Sequence, residues 1–291
     1  MITGDFDYYD PQTVEQAIAL LQEHGSAAKI LAGGQSLIPA MRFRLAMPEV
    51  LIDINGIDGL DYVREENGHL AIGGLTRETH LEASALVSER YPMLADTARV
   101  IADPLVRNRA TVGGNLAHAD PANDHPATML AYAAEITARG PNGDRTIAID
   151  DLFVDLFETS LEPDEILTEI RVPSPGPSDG GAYIKMERKI GDYAVSAVAV
   201  QLTMDGDTCT RGRIALTNLS SVPMRATDSE AALVGNEIED EVLEAAGRAA
   251  AAQCQPSGDL RGSVEYKRDL TSVLTKRAIK KAVERASGGM S

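Results

Sequence analysis

The chain has 291 residues, 44 acidic and 27 basic, so its formal net charge at pH 7 is −17. This length allows two domains, and the acidic excess argues against nucleic acid as a partner because polyphosphate backbones repel a negative surface. The sequence contains no uncharged apolar stretch of about 18 residues and no signal peptide at its start, so we expect a cytoplasmic protein.

The first part of the chain, about residues 1–55, predicts a small α/β unit. Thr13 and Gln16 form a helix-capping pair, and Gly25 is placed to end that helix. An apolar run follows and stops at a pair of glycines, as expected for a short buried strand before a turn. In chain order the predicted elements are a helix from Thr13 to Gly25, a strand over 28–32, a helix over 36–42 and a strand over 50–54.

The next part, from about residue 56 to residue 173, predicts a strand-rich unit with helices between the strands. The segment 173–181 is rich in proline and glycine and predicts a linker that holds neither helix nor strand. We therefore expect one domain over 1–176, with subdomains 1–55 and 56–176, and a second over 177–291. The predicted elements of the middle part are strands over 70–72, 147–149 and 166–172, a helix over 94–101 and a helix that begins at Asn123 or Asp124.

The last part predicts a three-stranded antiparallel meander followed by three helices. Its basic segment, 261–285, is predicted to be a solvated or subunit-facing helix. Cys209 and Cys254 are predicted to be buried thiols, because free cysteine behaves as a small apolar residue. Two cysteines cannot by themselves hold an iron–sulfur cluster or a structural zinc ion. The predicted strands span 182–188, 194–204 and 208–217, and the predicted helices span 226–234, 239–253 and 264–286.

Two glycine pairs are the strongest chemical signal in the sequence. Gly33-Gly34 follows a predicted strand, Gly113-Gly114 follows a predicted turn, and neither pair fits a Rossmann motif or a P-loop. Glycines let an anion approach the backbone closely, and no lysine or arginine occurs within 32–41 or 110–119. The pattern therefore favours a diphosphate held between two loops by neutral donors, although two ordinary tight turns are the alternative.

Two other segments carry polar groups that could serve a ligand. The segment 118–126 contains two histidines and two aspartates, but its prolines favour turns and no third cluster completes a metal site. We interpret Asp124 as an acceptor for ribose or ribityl hydroxyls. The segment 185–193 is either an exposed strand end or a wall of a cofactor cleft between domains. No order of serine, histidine and acid supports a hydrolase.

Together these motifs are similar to a known family. The segments 32–36, 101–104, 111–115, 120–124 and 185–193 resemble the FAD-binding medium subunits of molybdenum hydroxylases, the xanthine dehydrogenase family. The resemblance runs the whole length and implies an α+β fold. It implies a two-subdomain FAD-binding domain of the vanillyl-alcohol-oxidase (PCMH) type, then a C-terminal domain of a three-stranded antiparallel sheet and a three-helix bundle.

The resemblance also implies which residues touch the cofactor. It assigns the two glycine segments to the FAD pyrophosphate and places Asp192 and Tyr193 beside the isoalloxazine ring, and it implies no catalytic residue and no metal ligand in this chain. The implied FAD-binding residues are Lys29, Ile30, Leu31, Ala32, Gly33, Gly34, Gln35, Ser36, Ile101, Thr111, Val112, Gly113, Gly114, Asn115, Asp124, Leu167, Lys185, Asp192 and Tyr193.

The implied assembly is a dimer of heterotrimers made of a molybdenum-pterin large subunit, an iron–sulfur small subunit and this flavin subunit. Electrons would pass from molybdenum through iron–sulfur clusters to the flavin and on to an external acceptor, so this chain would perform no substrate chemistry. Carbon monoxide is the preferred substrate by overall likeness, with an aldehyde or an N-heterocycle open. A quinone, a cytochrome or NAD could accept the electrons, and peripheral contact with a membrane acceptor is also left open. The rival interpretations are a stand-alone FAD oxidase or reductase and a non-catalytic scaffold.

Overall fold

A computed structural model describes residues 2–288, and its first unit is a three-stranded parallel sheet flanked by helix. Its elements are β1 (Asp7–Tyr9), α1 (Val14–His24), β2 (Ala28–Leu31), α2 (Leu37–Arg42) and β3 (Val50–Asp53). The strand order is β1-β3-β2, and both pairs are parallel, so the carboxyl ends of the strands meet at one edge. Thr13 caps α1 by accepting a hydrogen bond from the Gln16 backbone, and Gly25 ends the helix with a φ of 52°.

The middle unit is a five-stranded antiparallel sheet packed against a layer of short helices. Its strand order is β4-β5-β10-β6-β7, and β8 and β9 form a separate hairpin. Ile149, predicted at the end of a strand, instead starts a short 3-10 turn after β7. The elements are β4 (Val63–Glu66), β5 (His69–Gly73), α3 (Glu78–Ala83), α4 (Ala85–Arg90), α5 (Pro92–Val100), α6 (Pro104–Arg107), α7 (Val112–Ala117), α8 (Asp124–Tyr132), β6 (Glu135–Gly140), β7 (Gly143–Ala148), β8 (Phe153–Asp155), β9 (Glu158–Thr159) and β10 (Ile166–Pro173).

The last unit is an antiparallel sheet with helices on one face. The three predicted strands and three predicted helices are confirmed, but the sheet has a fourth strand of two residues, which pairs with Ala215 and Leu216 and is too short for any periodicity to predict. The elements are β11 (Asp179–Glu187), β12 (Ala194–Asp205), β13 (Thr208–Thr217), β14 (Met224–Arg225), α9 (Thr227–Leu233), α10 (Asp240–Gln253) and α11 (Val264–Ala286).

The predicted linker over 173–181 is wrong at its C-terminal end. Asp179, Gly180 and Gly181 belong to β11 and pair with β12. A Cβ atom on Gly180 would lie within 3.0 Å of the Ala282 carbonyl oxygen, so glycine is needed there for α11 to lie against the strand. The glycines that predicted a flexible connection instead permit a close contact between helix and strand.

Strand β12 is buried on both faces, which explains its almost unbroken apolar sequence. On one face Ala197 and Ala199 join the core of the middle unit, together with Tyr183 from β11. On the other face Val198 and Val200 pack under α9, α10 and α11. The last unit therefore shares one core with the middle unit and builds a second core of its own.

Most of the basic segment 261–285 is a helix, but the prediction that this helix is solvated or subunit-facing is wrong at Lys267. Lys267 is fully buried and donates to Asp259 and to the Ser257 carbonyl, each at 2.9 Å. The thiols of Cys209 and Cys254 are buried and free, as predicted.

Within residues 2–288, even the longest helix lacks the apolar length needed to span a bilayer. That helix is α11, which carries seven lysines and arginines. It is a docking helix for the sheet, since Leu274 and Ile279 lie in the second core.

Asp96 on α5 links the middle and last units. Its carboxylate accepts hydrogen bonds from Lys281 at 3.1 Å and from Arg285 at 2.7 Å, both on α11, and its side chain is only 11% exposed. Removing one charge from such a cluster leaves two cations with poor partners.

We expect Asp96→Asn to lower the free energy of unfolding by about 1–3 kcal/mol, measured by chemical denaturation. The matched control is Asp240→Asn, because the Asp240 side chain is 91% exposed and pairs with Lys280 at 3.1 Å. The control should change stability by less than about 1 kcal/mol. Equal effects of the two substitutions would show that Asp96 is no more important than a surface charge.

Candidate cofactor-binding site

The two glycine turns, far apart in sequence, lie against each other. The first follows β2, and the second begins α7. A Cβ atom on Gly33 would lie 2.5 Å from the Arg109 carbonyl oxygen and 2.7 Å from the Ala110 Cα. A Cβ atom on Gly114 would lie 3.7 Å from the Ala32 Cβ. The sequence-based expectation that the two loops face one site therefore has the required geometry.

The first turn presents backbone donors that nothing in the described chain uses. Within residues 2–288, none of the backbone N–H groups of residues 33–36 donates a hydrogen bond. Gly34 has a φ of 70°, in the left-handed region, which lets successive N–H groups converge. Converging N–H groups form a concave site for an anion.

The second turn adds side-chain groups to the same region. Thr111 caps α7 by accepting a hydrogen bond from the Gly114 backbone at 3.2 Å. The side-chain Oδ1 of Asn115 is buried and has no hydrogen-bond partner in the described chain. This oxygen is an acceptor, and leaving it unpaired is costly unless a donor satisfies it, so Asn115 fits a hydroxyl or N–H group of a ligand held beside this turn.

The second turn packs on two further backbone segments, one at Gly74 and one at Leu167. A Cβ atom on Gly113 would lie within 3.0 Å of the Gly74 carbonyl, and one on Gly74 within 3.0 Å of the Leu167 carbonyl. Leu167 thus reaches the site region through Gly74, which we did not predict as a site residue. The Gly73-Gly74 pair after β5 was the only sequence signal for this contact.

Two further side chains that we did not predict connect the glycine turns. Arg77 donates to the Arg109 carbonyl and to the Asn55 side-chain oxygen. Asn55 in turn donates to the Ala32 carbonyl at 2.8 Å. Each residue lies in a different stretch of the chain, and neither belongs to a motif, so no pattern in the sequence pairs them.

Asp124 and Lys185 form a buried polar cluster near the turns. Asp124 accepts hydrogen bonds from the Tyr183 hydroxyl at 2.5 Å and from the Lys185 ammonium at 2.9 Å. Burial raises the pKa of Asp124, while Lys185 and Tyr183 act to lower it. Since both carboxylate oxygens are engaged, the role of Asp124 as an acceptor for ligand hydroxyls stays a prediction that would require one of these bonds to be exchanged.

Lys185 also brings Ile101 into this cluster, because its ammonium donates to the neighbouring Val100 carbonyl at 3.0 Å. The cluster is joined to the second glycine turn by the Asn123 side chain, which donates to the Asn115 carbonyl at 2.9 Å. The structure therefore connects Ile101, Asp124 and Lys185 to the turns through short polar links.

Asp192 and Tyr193 lie on the loop between β11 and β12. A Cβ atom on Gly191 would lie 2.9 Å from the Ala102 carbonyl, so this loop packs close to Ile101. Asp192 accepts a hydrogen bond from Arg261 at 2.6 Å, and this bond lowers the pKa of Asp192. The Arg261 guanidinium lies 5.5 Å from the centre of the Tyr193 ring, which is 43% exposed and free to meet a ligand.

The remaining predicted residues differ in their relation to this region. Leu31 packs beside Gly34, and Gln35 donates to the Gly33 carbonyl at 3.2 Å. Lys29 and Ile30 lie earlier in β2. Lys29 is exposed, and Ile30 packs against the apolar core of the first unit. Their role as cofactor contacts stays a prediction. Ser36 precedes α2 without making a side-chain capping bond, and Val112 donates its backbone N–H to Thr76.

Known families match the chain in two segments. A family described as the FAD-binding domain in molybdopterin dehydrogenase matches residues 4–175, and the carbon monoxide dehydrogenase flavoprotein C-terminal domain matches residues 181–282. The chain therefore belongs to the FAD-binding medium subunits of molybdenum hydroxylases, which are oxidoreductase subunits. FAD is the cofactor that this class of subunit carries.

Individual relatives define a narrower similarity. The carbon monoxide dehydrogenase medium chain of Hydrogenophaga pseudoflava is 44% identical, over 99% of this chain and 100% of its own length. The 6-hydroxypseudooxynicotine dehydrogenase complex subunit alpha of Paenarthrobacter nicotinovorans is 37% identical, over 97% of this chain and 95% of its own length. A solved structure of carbon monoxide dehydrogenase from Hydrogenophaga pseudoflava superimposes with a TM-score of 0.96 and 46% identity, covering 98% of this chain and 99% of that one.

We expect Gly113→Ala to lower the free energy of unfolding by about 1–3 kcal/mol, because its Cβ would press on the Gly74 carbonyl and force the stacked backbones apart. Chemical denaturation measures this loss. The control is Gly212→Ala on β13, where the nearest atom would be 3.7 Å away. If Gly113→Ala proved as stable as the control, the stack would have to be looser than its geometry indicates.

Proposed function

We propose that this chain is the FAD-carrying electron-transfer subunit of a molybdenum hydroxylase, in a complex of the carbon monoxide dehydrogenase type. It accepts electrons from iron–sulfur clusters of a partner subunit and passes them to an external acceptor. The observation that carries the proposal is the pair of touching glycine turns, with the free backbone donors of residues 33–36 on the first turn.

The residues present fit the diphosphate of FAD. Neutral N–H groups of the first turn, with the Thr111 hydroxyl and the Asn115 Nδ2 group of the second as donors, would hold it. The missing Cβ atoms of Gly33 and Gly34 let the first turn pack against the Arg109 carbonyl and the Ile38 side chain in the conformation that presents its N–H groups. Bound FAD supplies an acceptor for electrons arriving singly or in pairs.

Other residues would position the ring end of the cofactor. Tyr193 offers an exposed aromatic face, and Arg261 fixes the loop that carries it by binding Asp192. The buried Asp124–Lys185 pair holds β11 against the start of α8 and so sets the wall between the turns and that loop. These residues orient the cofactor and limit access of water, and none of them is assigned a proton transfer.

The molybdenum centre and the iron–sulfur clusters are proposed to lie on partner subunits. The described residues contain no group of three or more His, Cys, Asp or Glu side chains that could hold a metal ion. We propose a dimer of heterotrimers working in the cytoplasm, with this chain divided into domains 1–176 and 177–291. A 6-hydroxypseudooxynicotine dehydrogenase subunit among the relatives favours an organic substrate as the second candidate.

We expect Gly34→Asp and Gly114→Asp to abolish FAD binding, because each new side chain would distort its own turn, at Ile38 for Gly34 and at Thr111 for Gly114, and would add a negative charge next to the proposed diphosphate. The chain is produced together with its proposed partner subunits, and flavin absorbance per chain is measured in the purified complex. The matched control is Gly68→Asp, since Gly68 has a φ of 77°, close to the 70° of Gly34, but open space around it.

The wild-type complex and the Gly68→Asp control should retain FAD. Full FAD absorbance in both site variants would contradict the proposal, as would a wild-type complex that binds none. In the loaded complex, bleaching of the flavin by carbon monoxide rather than by an organic substrate decides between the two candidate substrates.

A further inference from the structure

Arg77 and Asn55 form a polar link between the two glycine turns. The Arg77 guanidinium donates to the Arg109 carbonyl, which is the atom that a Cβ on Gly33 would meet. The same guanidinium donates to Asn55, whose amide donates to the carbonyl of Ala32 at 2.8 Å. One side of the link therefore holds the backbone before the second turn, and the other holds the backbone before the first.

The direction of the Asn55 amide is determined by its surroundings. Its nitrogen faces two acceptors, the Ala32 carbonyl and the Asp53 carboxylate at 2.6 Å, and its oxygen faces the Arg77 guanidinium. Reversing the amide would place its oxygen against both acceptors and its donors against a cation. The amide can therefore bridge these groups in one orientation only. An aspartate at this position has no N–H group to donate to Ala32 and Asp53, so it could not form the link.

Asp53 anchors the far end of the link to the first sheet. Its carboxylate accepts hydrogen bonds from the Asn55 backbone at 2.9 Å and from the Tyr8 hydroxyl at 2.7 Å. Partial burial acts to raise the pKa of Asp53, but these hydrogen bonds outweigh burial and lower it. Asp53 thus stays ionised and holds Asn55 at the carboxyl end of β3, next to the turn that follows β2.

The spacing of the two turns is critical because neutral donors act only at short range. A hydrogen bond weakens steeply beyond about 3.2 Å, so donors from two separate turns grip one diphosphate only when the turns stand at the right distance. The first turn belongs to the parallel sheet and the second to α7, and no regular ladder connects these elements.

We propose that Arg77 and Asn55 are positioning residues that set the spacing of the glycine turns for the FAD diphosphate. This inference rests on the proposed function, since it concerns the same site. Arg77 acts directly on the Arg109 carbonyl and, by way of Asn55, on the Ala32 carbonyl. No contact between its side chain and the cofactor is required.

The test measures the rate at which FAD leaves the purified complex after dilution, followed by the rise in flavin fluorescence. We expect Arg77→Gln and Asn55→Asp each to speed release by about tenfold or more. Arg77→Gln removes the charged donor of the link, and Asn55→Asp removes the amide donor to the Ala32 carbonyl. The double variant should release FAD about as fast as either single variant, since both changes break one connection.

The matched control is Arg213→Gln. Arg213 also joins a carbonyl to a side-chain oxygen, donating to Leu130 at 2.8 Å and to Asp150 at 2.6 Å, but it connects β13 to the end of α8, away from the turns. This control should change thermal stability without changing FAD release. With FAD in excess, turnover of all variants should approach the wild-type rate, because a positioning pair affects occupancy of the site.

Unchanged FAD release in Arg77→Gln and Asn55→Asp would overturn the inference, and so would an equal effect of Arg213→Gln, since that would indicate a general loss of stability. If Arg77→Gln fails to fold, the nearly isosteric Asn55→Asp variant decides the question alone. A wild-type complex without FAD would refute the proposed function instead, so the two failures are distinguishable.

Discussion

The candidate site depends on backbone segments that touch because three glycines have no side chain. Gly33 lies on the Arg109 carbonyl, Gly113 lies on Gly74, and Gly74 lies on the carbonyl of Leu167. Any Cβ atom at these positions would overlap the neighbouring backbone, so the two turns could not meet. Close packing of protein interiors leaves no slack to absorb such an overlap. The site is thus a consequence of backbone packing as much as of the groups that face the ligand.

Charge explains the choice of donors in this region. A chain with a net charge of −17 repels a diphosphate unless nearby donors or cations make the local electrostatic potential less negative. The turns supply neutral N–H groups, and Arg77 places a cation behind them, bound to carbonyl oxygens rather than to a carboxylate. Its charge is not cancelled by a direct ion pair and can still favour an anion nearby.

The last unit of the fold completes the site by docking on the middle one. The small side chains Ala197 and Ala199 let the sheet approach the helices of the middle unit, and Asp96 fixes α11 across the same boundary. This docking places Lys185 against Asp124 and brings the loop with Tyr193 near Ile101. The ring end of the proposed cofactor site is therefore built from both units.

The local features could be predicted from the sequence: the cap at Thr13, the strands that end at glycine pairs and the meander over 182–217. These features follow from short-range periodicity and turn chemistry. It also indicated both glycine turns, and the family resemblance supplied the remaining site residues. Three contacts could be found in the folded chain alone: Gly180 lies in a strand under α11, Asp124 is bound by Lys185, and Arg77 joins Asn55 to Arg109. These contacts join residues far apart in the chain, and the energy of a long-range contact leaves no local pattern to read.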